Sequence, residues 1–250
     1  RVTARLAKEI AAGRSSVNML ANQFSTEILT VDIGIDSDIY CSNIINKKIA
    51  YGTRSIVKGP AMAPSQARKA ISNGIEIVYD LCRNGTDIII TGEMGIGNTT
   101  TSAAIASLIL GIPAEITTGR GAGLDSSGMS RKIAAIHRAI KLNKPDPTDP
   151  IDVLSKLGGF DIAGMTGLFL GGAECGIPIV IDGVISAVSA CLAEMISPGC
   201  RDFMLPSHVS NEPSARLLLE KLGLKAPINA GFHLGEGTGG IMLLPLLDGA

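Results

Sequence analysis

The chain has 250 residues, 46% of them hydrophobic, enough to bury a sizeable core within one α/β domain carrying elaborations. Its 22 basic and 23 acidic residues leave a formal net charge of −1, so no global field attracts nucleic acid, and five Phe, three Tyr and no Trp leave few platforms for stacking single strands. No apolar run approaches the ~18 residues of a spanning helix and no secretory leader pattern opens the chain, so no membrane span is expected.

The chain opens on Arg1 rather than Met, already inside a helical pattern, so a natural N-terminal part is expected to precede it. Residues 3–24 read as two short helices separated at Gly13-Arg14-Ser15, with Leu6, Ile10, Val17, Leu20 and Phe24 as expected buried positions. Glu27 to Gly34 is a β-branched run of the kind found in a parallel strand covered on both faces. Ile39 to Val57 mixes strand-like pieces with Asn and Lys. An amphipathic helix runs from Ser65 to about Arg83, burying Ala67, Ala70, Ile71, Ile75, Val78 and Leu81.

A strand from Thr86 to Thr91 delivers a glycine loop, and a helix from Thr99 to Leu110 leaves it. A second glycine run, Gly119 to Gly123, leads into a basic helix from Ser127 to Leu142, ended by Pro145-Asp146-Pro147. Helices are expected over 148–158 and 161–174. Ile177 to Asp182 is another buried strand ending in a carboxylate, followed by Gly183 and a helix rich in Ala and Ser; a last helix is expected from Asn211 to Leu222. Strands alternating with helices imply right-handed crossovers and a mainly parallel, Rossmann-like α/β sheet flanked by helices, with functional loops beyond the C-terminal strand ends. The expected organisation is one domain over 1–250: an α/β core near 25–210, with 1–24 and 211–250 as a smaller helical accessory part.

Five cysteines, Cys41, Cys82, Cys175, Cys191 and Cys200, lie far apart with no CxxC pair, and an odd number cannot all pair. Reduced thiols packed as small hydrophobes in a cytoplasmic protein are expected. The apolar segment Ile241 to Leu244 reads as exposed and suggests a shared interface.

The chemistry concentrates in two loops. Gly92-Glu93-Met94-Gly95-Ile96-Gly97-Asn98-Thr99-Thr100 joins a strand to a helix N-terminus whose free N–H groups can seat a phosphate, with Gly95, Gly97, Asn98 and Thr99 as donors and Gly121 contributing backbone. No Gly-Lys-Ser/Thr follows, and glycines at 92, 95 and 97 miss the GxGxxG spacing, which removes the main support for kinase, ATPase and dinucleotide readings. The same geometry also serves as plain turn chemistry. Glu93 beside a phosphate seat is electrostatically unfavourable unless it faces a developing cation or a proton donor. Leu234-Gly235-Glu236-Gly237-Thr238-Gly239-Gly240 repeats the arrangement, and two such loops suggest one site. Lys132, two turns into its helix, either reaches that phosphate or is a solvated lysine, and Arg131 is surface charge. Three histidines, His137, His208 and His233, have no ligand-like spacing, so no metal site is expected, and no GxSxG elbow supports a hydrolase.

Gly92 to Thr100, Thr118 to Asp125, Ile181-Asp182-Gly183, Ser207 to Glu212 and Leu234 to Gly239 resemble, in order and over essentially the whole chain, the motifs of the nicotinate-nucleotide:dimethylbenzimidazole phosphoribosyltransferase family. The resemblance implies transfer of a 5-phosphoribosyl group from nicotinate mononucleotide to a benzimidazole-type base, giving an α-ribotide and nicotinate in cobalamin assembly. It places Glu236 as general base, Glu93 and Asp182 as carboxylates facing the ribose or its cationic transition state, and Lys132 on the phosphate. Gly235 and Ser210 would line the pocket, Ser210 and Glu212 also capping the helix that follows. Asp182, taken alone, reads as a cap for its own next helix. Neither chemical step asks for a metal or another cofactor. A homodimer is expected, a heterodimer with a paralogue being the alternative, and a partner-dependent subunit is the competing functional reading. Two departures bear on base choice: His233 stands where the family usually has Arg, and Ala122 where Thr is common.

Overall fold

Short buried β-branched runs form the centre of the fold, and glycine loops leave their C-terminal ends. The computed structural model describes residues 2–121 and 123–250, so Ala122 lies outside the described residues. It begins with helices α1 (Val2–Ala11) and α2 (Ser16–Gln23), followed by strands β1 (Thr30–Asp32) and β2 (Ile44–Asn46) and helix α3 (Pro64–Arg83). Strand β3 (Ile89–Ile90) feeds α4 (Asn98–Leu110), and α5 (Ala114–Thr117), α6 (Ser126–Asn143), α7 (Pro150–Leu157) and α8 (Phe160–Cys175) follow. Then come β4 (Ile179–Ile181), α9 (Val184–Ile196), a 3-10 turn at Cys200–Phe203, β5 (Met204–Pro206), α10 (Ala215–Leu222), α11 (Thr238–Ile241) and α12 (Leu244–Asp248).

All strand pairs are parallel, as alternating strands and helices require, but they form two sheets rather than one. Among the described residues β1 pairs with β2 alone, while the central sheet has the order β3-β4-β5. The sequence hides β5 because proline closes its three-residue run; at a sheet edge the missing N–H is tolerated. β1 is also less covered than its sequence suggests, with only Asp32 fully buried.

Helices α8 and α9 pack on β4, and both are buried nearly all round, contributing Phe160, Ile162, Phe169, Val188 and Leu192 to the main core. The extensive α3–α8 contact depends on backbone approach: a Cβ on Gly167 would stand 2.0 Å from the Ile71 carbonyl oxygen. Hence α3 buries Gly74 as well as Ala67, Ala70, Ile71 and Val78, while Ile75 and Leu81 are half-buried against the core.

The chain ends pack on each other. Val17 and Ala21 of α2 form a small apolar cluster with Ile241 of α11, joined by the partly buried Ile10, Leu20, Phe24 and Leu244. Of the five expected N-terminal core positions only Val17 is fully buried; the small Ala4, Ala7 and Ala21 are buried in place of the others. This packing also corrects the reading of Ile241 to Leu244 as an exposed patch: Ile241 and Leu243 are buried within the chain. Cys191 and Cys200 are buried as expected, whereas Cys41, Cys82 and Cys175 are only half-buried. No helix among the described residues is long and apolar enough to cross a membrane.

Candidate active site

The three strands of the central sheet end together, and their last residues carry the polar groups. Thr91, after β3, donates to the Val180 carbonyl at 2.7 Å and meets Ser186 Oγ at 2.6 Å. These buried hydroxyls tie the exit of β3 to β4 and to the first turn of α9. Ser207, after β5, donates to the Ile181 carbonyl at 2.7 Å and lies 2.9 Å from Nδ1 of His208. Three chain exits are thereby fixed against one another before the loops begin.

The loop before α11 lies across those exits. Gly235, Glu236 and Gly237 all have positive φ, at 80°, 62° and 88°. Two glycines take this conformation freely, but for Glu236 it is strained, on the order of 1–2 kcal/mol. What holds it is Asp182: its Oδ1 accepts the Gly240 N–H at 2.8 Å and its Oδ2 the Gly237 N–H at 3.2 Å. Asp182 thus caps α11, not its own following helix α9, which has Gly183 at its start. Its burial pushes its pKa up to about 6, against the pull of the Gly237, Gly239 and Gly240 N–H groups. His208 closes the other side, its ring occupying the space where a Gly239 side chain would stand, with Cε1 2.2 Å from that Cβ position. Burial lowers its pKa to about 4, so the ring is neutral and acts as a wedge against Phe232 rather than as a base. The sequence offers no signal for this wedge beyond two adjacent glycines.

The two Gly-Glu loops meet through backbone. A Cβ on Gly92 would stand 2.8 Å from the Glu236 carbonyl oxygen, and one on Gly235 would stand 2.8 Å from Glu93 Oε1. Glu93 and Glu236 therefore share one cleft. Glu236 Oε2 is buried and has no hydrogen-bond partner among the described residues. Burial raises its pKa, partly countered by the backbone N–H of Val17. Glu93 is raised further, to about 8, first by burial and then by the charge of Asp161, with Asn98 opposing. At neutral pH Glu93 is largely uncharged, which relieves the conflict of a carboxylate beside an anion seat.

The expected phosphate seat divides into two halves. Gly97, with φ 95°, starts α4, and Gly95 packs beside Asn98. The Asn98 side chain faces carboxyls, donating to Glu93 Oε2 and, at 3.0 Å, to Asp161 Oδ2. Thr99 faces the other way: its Oγ1 accepts from Lys132 Nζ at 3.0 Å and lies 2.9 Å from where a Gly121 Cβ would be. Lys132 is buried, not solvated; it also donates to the Gly119 carbonyl at 2.9 Å, and desolvation lowers its pKa while Glu212 opposes. The cationic half of the seat is thus Lys132, Thr99 and the Gly119–Gly121 turn.

Glu212 departs from expectation. It does not cap a helix starting at Asn211: α10 begins at Ala215, held off by Pro213. Its Oε1 instead accepts the Gly121 N–H at 3.0 Å, the donor assigned to phosphate. Ser210 is buried, 4.0 Å from the Gly183 Cβ position, and its hydroxyl accepts weakly from the Glu212 N–H at 3.4 Å. His233 is exposed, its Nδ1 2.9 Å from the Gly231 carbonyl. Arg131 is exposed and bonds Ser127, as surface charge should. Among the described residues no group of three or more His, Cys, Asp or Glu is arranged to hold a metal ion.

A sequence model of the phosphoribosyltransferase family matches residues 1–250. The chain belongs to this family. Among its phosphoribosyltransferase relatives are two proteins named nicotinate-nucleotide–dimethylbenzimidazole phosphoribosyltransferase. The one from Acetivibrio thermocellus is 45% identical over 99% of this chain and 70% of its own length. The one from Ruminiclostridium cellulolyticum is 46% identical over 100% of this chain and 71% of its own. The crystal structure of CobT from Thermus thermophilus superposes with a TM-score of 0.95 at 34% identity, covering 99% of this chain and 74% of that one. The chain thus spans about seven-tenths of the length of these phosphoribosyltransferases.

Proposed function

We propose that this chain transfers the 5-phosphoribosyl group of nicotinate mononucleotide to a lower-ligand base, 5,6-dimethylbenzimidazole or a related base. The products are an α-ribotide (α-ribazole 5′-phosphate) and nicotinate, in assembly of the cobalamin nucleotide loop. The observation that carries the reading is the buried, unpartnered Glu236 Oε2 on a strained loop packed against the glycine loop after β3. A buried acceptor without a donor is costly unless a ligand supplies one.

The bond broken runs from the ribose anomeric carbon to a pyridinium nitrogen, so its electron pair leaves with a ring that becomes neutral, and no general acid is required. Attack by the bare nitrogen of the incoming base, opposite that ring, inverts β to α without a covalent intermediate. Attack makes the other ring N–H acidic, and Glu236 takes that proton. Asp182, committed to the Gly237 and Gly240 N–H groups, holds Glu236 in place and sets a negative charge behind it. Glu93, near neutral at pH 7, binds a ribose hydroxyl rather than acting as a fixed anion. Lys132 with Thr99 and the Gly121 N–H receive the phosphate, while Gly95, Gly97 and Gly235 keep the walls bare for the ribose and Ser210 lines its floor. The exposed Leu246 and Leu247 on α12 support a homodimer contact, and the half-buried thiols suit a reducing, cytoplasmic setting.

The test is incubation of the chain with nicotinate mononucleotide and a panel of benzimidazoles, purines and phenols, with ribotides identified by mass. Formation of an α-ribotide with stoichiometric nicotinate is expected. Hydrolysis alone, or no nicotinate release with any base, overturns the reading.

A further inference from the structure

Asp161, in the first turn of α8, belongs to none of the recognised motifs, yet it reaches the cleft. The Asn98 side-chain nitrogen donates to Asp161 Oδ2 at 3.0 Å and to Glu93 Oε2. Asp161 Oδ2 also lies 3.0 Å from where a Gly95 Cβ would stand, so a side chain there would press on it. One amide, with its two N–H bonds, therefore joins two carboxyls from different elements. The charged groups facing Glu93 are all acidic: Asp161 from α8, Asp182 from the end of β4 and Glu236 from the loop before α11. Lys132 points to the other half of the seat, bonded to Thr99 and Gly119.

A buried carboxyl with acidic groups on every side, and no cation facing it among the described residues, holds its proton toward neutral pH. We propose that Asp161 is a positioning residue for the transfer reaction: through Asn98 it fixes the Glu93 carboxyl against Gly235, and its charge beside that carboxyl keeps a proton on Glu93. The burial of Glu93 and the charge of Asp161, which place Glu93 at about 8, agree with the proton residing on Glu93. The consequence is chemical. A phosphoribosyl donor carries a phosphate dianion, so the cleft must avoid a further anion on that wall while offering an O–H to a ribose hydroxyl. A protonated Glu93, held in orientation by Asn98, does both. This inference rests on the proposed transfer reaction for its catalytic meaning, but the proton on Glu93 does not.

The experiment is isotope-edited infrared titration of labelled glutamate and aspartate carboxyls in the intact chain, with Glu93→Gln assigning the Glu93 band, alongside kcat/KM against pH. In the parent, the Glu93 band should remain protonated at pH 7. In Asp161→Asn its midpoint should fall by about one pH unit or more, and the alkaline limb of kcat/KM should move down with it. A Glu93 band ionised at pH 6 in the parent overturns the proposal without any variant, as does an unchanged midpoint in folded Asp161→Asn. Loss of transfer activity in every form, with the infrared shift present, would sink the reaction assignment and leave the Asp161 effect on Glu93 standing.

Discussion

Gly92 and Glu236 touch through backbone, the Glu236 carbonyl oxygen lying 2.8 Å from the place a Gly92 side chain would begin. The two loops lie in opposite halves of the chain, so the contact is tertiary, and it sets the distance between Glu93 and Glu236. Each element beneath it serves the same end: Thr91 fastens β3 to β4, Asp182 grips the amides of the second loop, and His208 fills the space that Gly239 leaves. The site is thus assembled from backbone proximity that any added side chain would disrupt.

Replacing Glu236 separates its catalytic and structural consequences. Glu236→Gln removes the proton acceptor while keeping shape, and transfer should fall by about 10²–10⁴-fold with circular dichroism unchanged. Glu236→Gly also releases the strain of φ 62° and removes a half-buried carboxyl, so this inactive variant should be more stable than the parent, by about 1 kcal/mol. A thermal or urea melt showing Glu236→Gly to be less stable would mean that the loop is not strained as described.

How much of this arrangement the sequence reveals depends on whether the signal is local. The β-branched runs around Ile89 and Ile179, the helix over 64–83 and the two Gly-Glu loops are written in consecutive residues, and each is present within a few positions of expectation. The division into two sheets is not, because three-residue strands such as β1 carry no pairing information. Partners distant in sequence are equally hidden. Asp182 precedes a glycine and a helix, so local reasoning hands it to α9, but the N–H groups that need it lie on Gly237 and Gly240. Glu212 looks like a helix cap until Pro213 delays α10 and frees its carboxylate to reach Gly121. Lys132 reads locally as either a solvated lysine or a phosphate ligand, and only the neighbouring Thr99 and Gly119 explain its burial.

Lys132 and Glu212 make opposite predictions for donor affinity. Lys132→Met removes the buried cation, and kcat/KM for nicotinate mononucleotide should drop by about 10–100-fold, mostly through KM, the usual worth of a charged hydrogen bond. Glu212→Gln removes the anion that holds the Gly121 N–H, which an arriving phosphate has to displace. Its KM for the donor should fall a few-fold, on the order of 1 kcal/mol. A rise in KM for Glu212→Gln would show that Glu212 binds substrate directly.

The His208 wedge is testable by a double-mutant cycle. Gly239→Ala would place a methyl 2.2 Å from the ring, and the overpacking should destabilise by about 1–3 kcal/mol. Because the ring is the obstacle, the same change in a His208→Ala background should cost markedly less, leaving a coupling of about 1 kcal/mol or more. Additive losses would place the strain on Asp182, whose Oδ1 lies 3.1 Å from the same Cβ position.

Stability should decline as pH rises, with one opposing contribution, for reasons that can be assigned to single residues. Glu93 has a folded pKa near 8 against 4.5 when unfolded, so its favourable contribution is complete below pH 4.5 and is lost as pH rises through 8. Asp182, raised from 3.8 to about 6, acts in the same direction over a lower window. His208 opposes them: lowered from 6.5 to about 4, it supports the fold fully above pH 6.5 and loses that support as pH falls through 4. For these groups together, stability should decline from about pH 4.5 to 6, pause while His208 offsets Glu93, fall again from about pH 6.5 to 8, and level off by about pH 9. Glu93→Gln, which cannot ionise, should flatten that alkaline decline and at about pH 9 exceed the parent by about 1–2 kcal/mol, after allowing for solvent around a half-buried carboxyl. Urea unfolding at about pH 6, 7.5 and 9 provides the check. Parallel declines in parent and variant would show that Glu93 already ionises freely at neutral pH, and its role as a neutral hydroxyl-binding group would have to be abandoned.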